Sequence, residues 1–439
     1  MKQVNLLTDS PRRLFFHYLG PTIGSSMVTS IYILADTIMV GQGVGDAGLA
    51  ALTIFMPIVA SFFALGLLLG VGGGVLMSVA KGSGNESLAH KYFSTAMISA
   101  AVVSVCFAVF GAIFFDPMMY ALGADTTNIE LVRGYGLCYT VSAPLFIFSS
   151  SLQSFIRNAM IAVLTGSGLN ILLDYLFIFV FKMGMFGASF ATSIGTSITV
   201  CILIIHFFTK KNTMRFSFRF FSIKALWEIA KCGFSSFLIE CANAVLVFVF
   251  NHTLLKYIGS VGVTVYSIMS NVAVVCMSLF NGVTLAAQPI IATNHGADNH
   301  KRVLQVRHIG TITSSVIAVI IFCVGFFFPD LLIYSYVKDP TPEILELARY
   351  ALRIYFFAYL FMNFNIFFSG YFQSTLRPVA AITIQILRSL LLSSVLVSVL
   401  PMIFGADAIW YAVPITECIT FFVAMAFLFF GRFKKTKEA

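Results

Sequence analysis

Long apolar runs alternate along the chain with short segments that hold most of its charges and turn signals. A helix needs about 20 apolar residues to cross the hydrocarbon core of a bilayer. Twelve such runs stand out, at roughly 14–40, 49–79, 91–116, 132–156, 160–182, 186–208, 226–256, 262–292, 304–328, 344–372, 378–403 and 406–431. None alternates strictly as a barrel strand does, and a lone strand in lipid leaves its backbone groups unpaired, so helices are predicted throughout. The expected fold class is an all-α integral membrane protein whose twelve transmembrane helices form two pseudo-symmetric six-helix lobes. One connection is unusually short: in "SFIRNAMIAV" only Arg157 and Asn158 are available for a turn. Helix–helix connections typically take about 2–8 residues. Either the hairpin is very tight or residues are missing from the chain between Asn158 and Ala159, and the second reading is preferred.

The polar segments reveal a repeat. Displaced by 214 residues, "GDAGLAALTI" at 45–54 lies over "GSVGVTVYSI" at 259–268, which aligns Gly45 with Gly259, Gly48 with Gly262 and Ile54 with Ile268. The same shift lays "AKGSGNESLAHK" at 80–91 over "NHGADNHKRVLQ" at 294–305, aligning Gly82 with Gly296 and Asn85 with Asn299. The predicted organisation is an N-lobe at 1–208, a basic linker at 209–224 and a C-lobe at 225–439. Two such halves in one orientation imply a pseudo-twofold axis along the membrane normal, an architecture of transporters with a central site.

Composition agrees: 59% of the 439 residues are hydrophobic and only 10% are charged, against about 25% charged in soluble domains. The net charge of +9 is distributed as short clusters between apolar runs rather than as a nucleic-acid groove. Only six of the 27 Lys and Arg residues fall on the side opposite the termini: Arg133, Lys182, Lys256, Lys338, Arg349 and Arg353. By the positive-inside rule both termini are expected in the cytoplasm and the protein in the plasma membrane. The eight cysteines fall singly within apolar segments, so neither disulfides nor zinc are expected.

Of the 18 acidic residues, fourteen lie in loops, at span ends or near the termini; the four that do not are Asp36, Asp174, Glu240 and Glu417. A charge at a helix centre costs roughly 2.5–3.5 kcal/mol on insertion scales, so each is a functional candidate. A hydrogen-bonded structural acid is the plainer alternative. Asn170 and Asp174 are four residues apart and share a helix face, as do Thr192 and Thr196 on the next span. With Asp36 they offer carboxylate, amide and hydroxyl oxygens to a small hard cation, while two adjacent carboxylates could share a proton. Asn and Thr in membrane helices also serve simply to bond across helices. In the repeat Glu240 corresponds to Ser26 and Asp36 to Phe250, so the halves carry different acids. Glu417 follows Pro414 by one turn and reads equally well as structural or functional. Pro21, on the span of Asp36, permits bending that could couple to the state of that acid, although prolines are routine in membrane helices.

No GxxxxGK[ST] motif is present, so ATP is not the expected drive. "GVGGGV" at 70–75 lies inside a span, where small residues allow close helix packing. Buried acids, two related halves and no nucleotide motif point to an ion-coupled secondary transporter.

"ADTIMVGQGVGDAGLAA", "GSGNESLAHK" with its echo "HGADNHKRV", "NILLDYLFIF", "GMFGASFATSIG" and "WYAVPITECIT" are distributed over the whole chain. Together they resemble the multidrug and toxic compound extrusion (MATE) transporters. The resemblance implies a V-shaped pair of six-helix lobes that alternates between outward-open and inward-open states. It also implies export of small amphipathic, often cationic compounds against inward Na⁺ or H⁺. It assigns Asp36, Asn170, Asp174 and Thr192 to an N-lobe cation site, joined by Tyr139 in preference to Tyr135. Glu240 matches an acid that some subgroups place on the seventh span. Where those subgroups have an aspartate on the tenth, this chain has Asn363 and Asn365, which favours the N-lobe site. Glu240, Glu417, Thr196, Asn363 and Asn365 are then secondary candidates near a second acidic site and the substrate cavity. No catalytic residue, cofactor or nucleic-acid partner is expected, and the protein is expected to act as a monomer. The rival reading is a flippase for lipid-linked precursors with the same two-lobed build, which would need cavity bases for a pyrophosphate; Arg388 is the main buried base.

Overall fold

A computed structural model describes residues 5–156, 159–205, 214–336 and 340–433. Arg157 and Asn158, Lys210, Lys211 and the rest of the linker up to residue 213, Lys338, and the tail lysines lie outside the described residues. Among the described residues the secondary structure is helical, without a strand. Ten helices are long and apolar enough to span a membrane, and two bent pairs bring the count to twelve.

The twelve spans are Pro11–Val44, Asp46–Gly82, Glu86–Ile113, the pair Ile129–Val141 and Ala143–Gln153, Met160–Val180, Gly184–Ile205, Ile223–Tyr257, Ser260–Gly296, His300–Phe327, the pair Pro342–Phe356 and Tyr359–Ser374, Pro378–Phe404, and Ala406–Phe433. The fourth and fifth approach through a bond from the Ala159 amide to the Ile156 carbonyl at 3.3 Å. The expected gap between Asn158 and Ala159 falls at the Arg157–Asn158 pair, outside the described residues.

The repeat-matched residues share their local roles. Gly45 and Gly259 precede the second and eighth spans with φ of 85° and 86°, a left-handed region in which a side chain is strained. The Asn85 side chain caps the third span by accepting from Leu88 N at 3.0 Å, and Asn299 caps the ninth by accepting from Arg302 N at 3.4 Å. The fourth and tenth spans bend by 52° and 45° at matching places. In the fourth span the bend follows Ser142, where Pro144 withholds its amide. In the tenth, which has no proline at the bend, Phe357 and Ala358 donate to the carbonyls of Ile354 and Tyr355, tightening the chain into i→i−3 bonds.

Packing divides the chain into two compact units: Gly24–Glu240, and Met1–Ile23 with Cys241–Ala439. The division passes through the first and seventh spans, whereas the repeat begins each half ahead of them. In the second of these units the N-terminal segment is tied down by Arg302, whose guanidinium donates to the carbonyls of Leu6 and Asp9 and to Asn294 Oδ1. Leu14 and Phe15 are buried there among Val283, Ile290, Phe367 and Phe372.

In the Gly24–Glu240 unit, the glycine cluster of the second span admits three neighbours. A methyl on Gly72 would lie 2.3 Å from the Ile229 carbonyl oxygen, one on Gly70 2.7 Å from Ser151 Cα, and one on Gly73 2.9 Å from Ala96 Cβ. Gly233 returns the approach from the seventh span, 2.0 Å from the Leu68 carbonyl oxygen on the same test. These contacts, to backbone atoms or to an alanine Cβ, cannot be relieved by rotating a side chain. Gly72→Val should therefore destabilise the protein by about 1–3 kcal/mol or more through overpacking. Gly20→Ala, with nothing within 4 Å of its added methyl, should not. Thermal denaturation of the two purified variants checks the contrast, and equal melting temperatures would contradict it.

Candidate functional site

The site in the Gly24–Glu240 unit depends on how closely the fifth and sixth spans can approach. A methyl on Gly166 would lie 2.6 Å from the Gly195 carbonyl oxygen, and one on Gly195 2.9 Å from Asn170 Cβ. Thr199 links the same pair, its hydroxyl 3.3 Å from the Ala162 carbonyl and 3.0 Å from that of Gly195. With the helices this near, Asn170 Nδ2 donates to Thr192 Oγ1 at 3.3 Å, and the Thr192 hydroxyl donates to the Ala188 carbonyl at 3.0 Å. Asn170, Asp174 and Thr192 are buried, Asp174 completely.

Asp174 is followed by a π-helical turn, Tyr175–Val180. The wider turn moves the backbone pairing to Phe181 N with Leu176 O at 2.9 Å and Met183 N with Phe177 O at 2.8 Å. Such turns recur at functional sites because they redirect backbone groups and side chains. The end of the first span packs on this turn: a methyl on Gly43 would lie 2.1 Å from Ile178 Cγ2. Asp36, two turns earlier on that span, lies within electrostatic reach of Asp174.

Tyrosines complete the surroundings. Tyr135 is within electrostatic reach of both acids, and Tyr139 of Asp36. Tyr139 is held in an aromatic stack, with ring centroids 4.1 Å from Phe146, 5.6 Å from Tyr135 and 5.9 Å from Phe62. Tyr135 therefore reaches both acids, whereas the preferred Tyr139 reaches Asp36. Tyr32 also lies within reach of Asp36 and Asp174 and was not singled out from the sequence. The available signal was its spacing of four from Asp36, one helical turn on the same face.

Asp36 Oδ1, both carboxylate oxygens of Asp174 and Asn170 Oδ1 are buried yet accept no hydrogen bond from any described residue. Buried polar atoms without partners are costly, and these four form an acceptor-rich cluster whose chemistry suits a cation or a proton. Thr196, one turn beyond Thr192, is only partly buried.

The remaining candidates are arranged differently. Pro21 and Asp36 share the first span but fall in different packing units. Glu240 is partly buried at the end of the Gly24–Glu240 unit. Asn363 is satisfied structurally: its amide donates to the carbonyls of Tyr359 and Leu360, and its oxygen accepts from Ser314 at 3.2 Å. Asn365 instead meets Glu417, donating to its Oε2 at 2.7 Å. Glu417 is also clasped by Arg388, with Nη2 2.8 Å and Nε 3.0 Å from Oε1. Pairing between the last three spans is a tertiary fact, and spacing along the sequence does not express it.

The Asn170–Thr192 bond should register as coupling across the two helices. A double-mutant cycle of Asn170→Ala and Thr192→Val, read by thermal stability, should return about 0.6–1 kcal/mol of interaction. Strict additivity would contradict the bond.

Comparison with known proteins agrees with this architecture. The profile of the MatE family matches residues 21–176 and 232–399. The multidrug export protein MepA of Staphylococcus haemolyticus is 26% identical over 434 residues, covering 97% of this chain and 95% of its own. MepA of Staphylococcus aureus strain MRSA252 is 24% identical over the same length. Among solved structures, an outward-facing multidrug resistance MATE family transporter of the MOP superfamily superposes with a TM-score of 0.92 at 22% identity, covering 100% of this chain and 98% of its own. A MOP superfamily transporter from Pyrococcus furiosus, described as having a binding pocket of reverse polarity, superposes with a TM-score of 0.90 at 22% identity, over 99% of this chain and 98% of that one. With the family profile spanning both halves and these likenesses running nearly end to end, the chain belongs to the MatE family of multidrug and toxic compound extrusion transporters.

Proposed function

We propose that this membrane transporter is a secondary active antiporter, exporting small amphipathic and often cationic compounds against inward Na⁺ or H⁺ by alternating access. The reading places it in the plasma membrane with both termini cytoplasmic, working as a monomer without a cofactor. Support for the cargo comes from the MepA relatives, which are multidrug export proteins. Support for the coupling comes from one observation above the others. Two carboxylates lie within electrostatic reach in an apolar bundle, and three of their oxygens accept no hydrogen bond from a described residue.

Two like charges so near each other in a medium of low dielectric cannot both remain uncompensated. A sodium ion would take Asp36, Asp174, Asn170 and Thr192 as oxygen ligands; protons would neutralise the same carboxylates one at a time. Either occupant removes negative charge that could otherwise attract a cationic substrate. Ion and substrate then compete, and the gradient of one drives the other. Tyr135 and Tyr139 supply hydroxyls that can follow the change in charge. Curvature of the first span at Pro21 is the proposed route by which occupancy reshapes the cavity.

The lipid-linked-precursor alternative gains nothing from Arg388, because that guanidinium is already engaged by Glu417. Dye efflux from proteoliposomes, with sodium and proton gradients imposed separately, tests the proposal. Asp36→Asn and Asp174→Asn should each lower gradient-driven efflux about tenfold or more, the loss expected when a charged ligand is removed. Undiminished efflux in either variant would refute the coupling role.

A further inference from the structure

The C-terminal repeat carries its own buried charge at the place where the N-terminal repeat carries Asp174. Position 388 lies 214 residues after 174, the same shift that aligns Gly45 with Gly259 and Asn85 with Asn299. Both residues sit at a π-helical turn: Asp174 immediately before Tyr175–Val180, and Arg388 within Leu387–Leu391. The repeat thus preserves the backbone device and reverses the charge mounted on it.

The surroundings of Arg388 form a closed ring across three spans. Its Nε and Nη2 donate to Glu417 Oε1 at 3.0 and 2.8 Å, and Asn365 Nδ2 donates to Oε2 at 2.7 Å. Ser369, one turn beyond Asn365, accepts from Gln385 Nε2 at 2.8 Å, and Gln385 is one turn before Arg388. Thus both oxygens of Glu417 are taken, while both oxygens of Asp174 accept nothing from a described residue. The Arg388 and Glu417 side chains are only 5% and 3% exposed, so the charges compensate each other out of water. Breaking a buried pair strands a charge, whereas replacing both members with apolar residues is often tolerated.

We propose that Arg388 is a captive counter-ion. Its guanidinium holds, at the Glu417 carboxylate, the position that an exchangeable cation takes at Asp174, so the second repeat is ion-independent and Arg388 limits the transporter to one coupling site. The assignment rests on the coupling role of Asp36 and Asp174. It also predicts a latent site: without the guanidinium, Glu417 has Asn365 beside it and, on its own helix, the buried hydroxyls of Thr416 and Thr420, which have no partner among the described residues.

The test uses full-length protein in lipid nanodiscs, titrated with sodium chloride at fixed pH and followed for proton release at fixed sodium. With both Asp36→Asn and Asp174→Asn, and Arg388 intact, no ion exchange should remain. Adding Arg388→Met should create one equivalent of sodium binding or proton exchange, and adding Glu417→Gln should remove it. No new Glu417-dependent exchange in the Arg388→Met protein overturns the assignment. So does residual exchange with Arg388 intact that Glu417→Gln abolishes. If the coupling role of the aspartates is what fails, the parent and the double aspartate variant will bind alike, and Arg388→Met will still add one equivalent to each, upholding the captive role. Should Arg388→Met not fold, Arg388→Met with Glu417→Met in the otherwise unaltered chain decides. Its ion stoichiometry should equal that of the parent, and a loss of one equivalent overturns the proposal.

Discussion

A negative charge inside an apolar helical bundle must be compensated, and the interior of this transporter is organised around that requirement. Asp36 and Asp174 lie within reach of each other in the Gly24–Glu240 unit, with carboxylate oxygens that no described residue satisfies. In the other unit Glu417 is compensated by Arg388 and Asn365. One unit leaves its acids without a partner among the described residues; the other compensates its acid from its own chain. The difference follows from what the chain mounts beside its two π-helical turns.

Close helix packing is what makes the first arrangement possible. Asn170 reaches Thr192 only because Gly166 and Gly195 present bare backbone to one another. The glycines of the second span do the same for its neighbours. In lipid there is no hydrophobic gain from bringing helices together, so small residues and cross-helix hydrogen bonds must hold them. The placing of Asn170 against Thr192 thus depends on glycines that carry no polar side chain of their own.

Much of the fold was legible in the sequence because bilayer thickness sets element length and the cost of unpaired backbone allows only helices. All twelve predicted runs have a helical counterpart, and the repeat found by shift recurs as paired caps and paired bends. The bend in the tenth span was not legible. Its partner in the fourth carries Pro144, but at Phe357 and Ala358 the tightening comes from backbone bonds without any proline to announce it. In the site, four-residue spacing was enough to bring Asn170 together with Asp174. The Asn365–Glu417–Arg388 cluster was hidden, because it joins three spans and only tertiary packing brings them together. The 214-residue shift from Asp174 to Arg388 was the one available hint.

The central claim is that the acid pair changes its ionic occupant when substrate binds. Infrared difference spectroscopy of the carboxyl bands, recorded as substrate is added to the purified protein, observes this directly. The account predicts a carboxyl band change that vanishes in Asp174→Asn and persists in Glu417→Gln. Carboxyl bands unaffected by substrate, sodium and pH alike would contradict it.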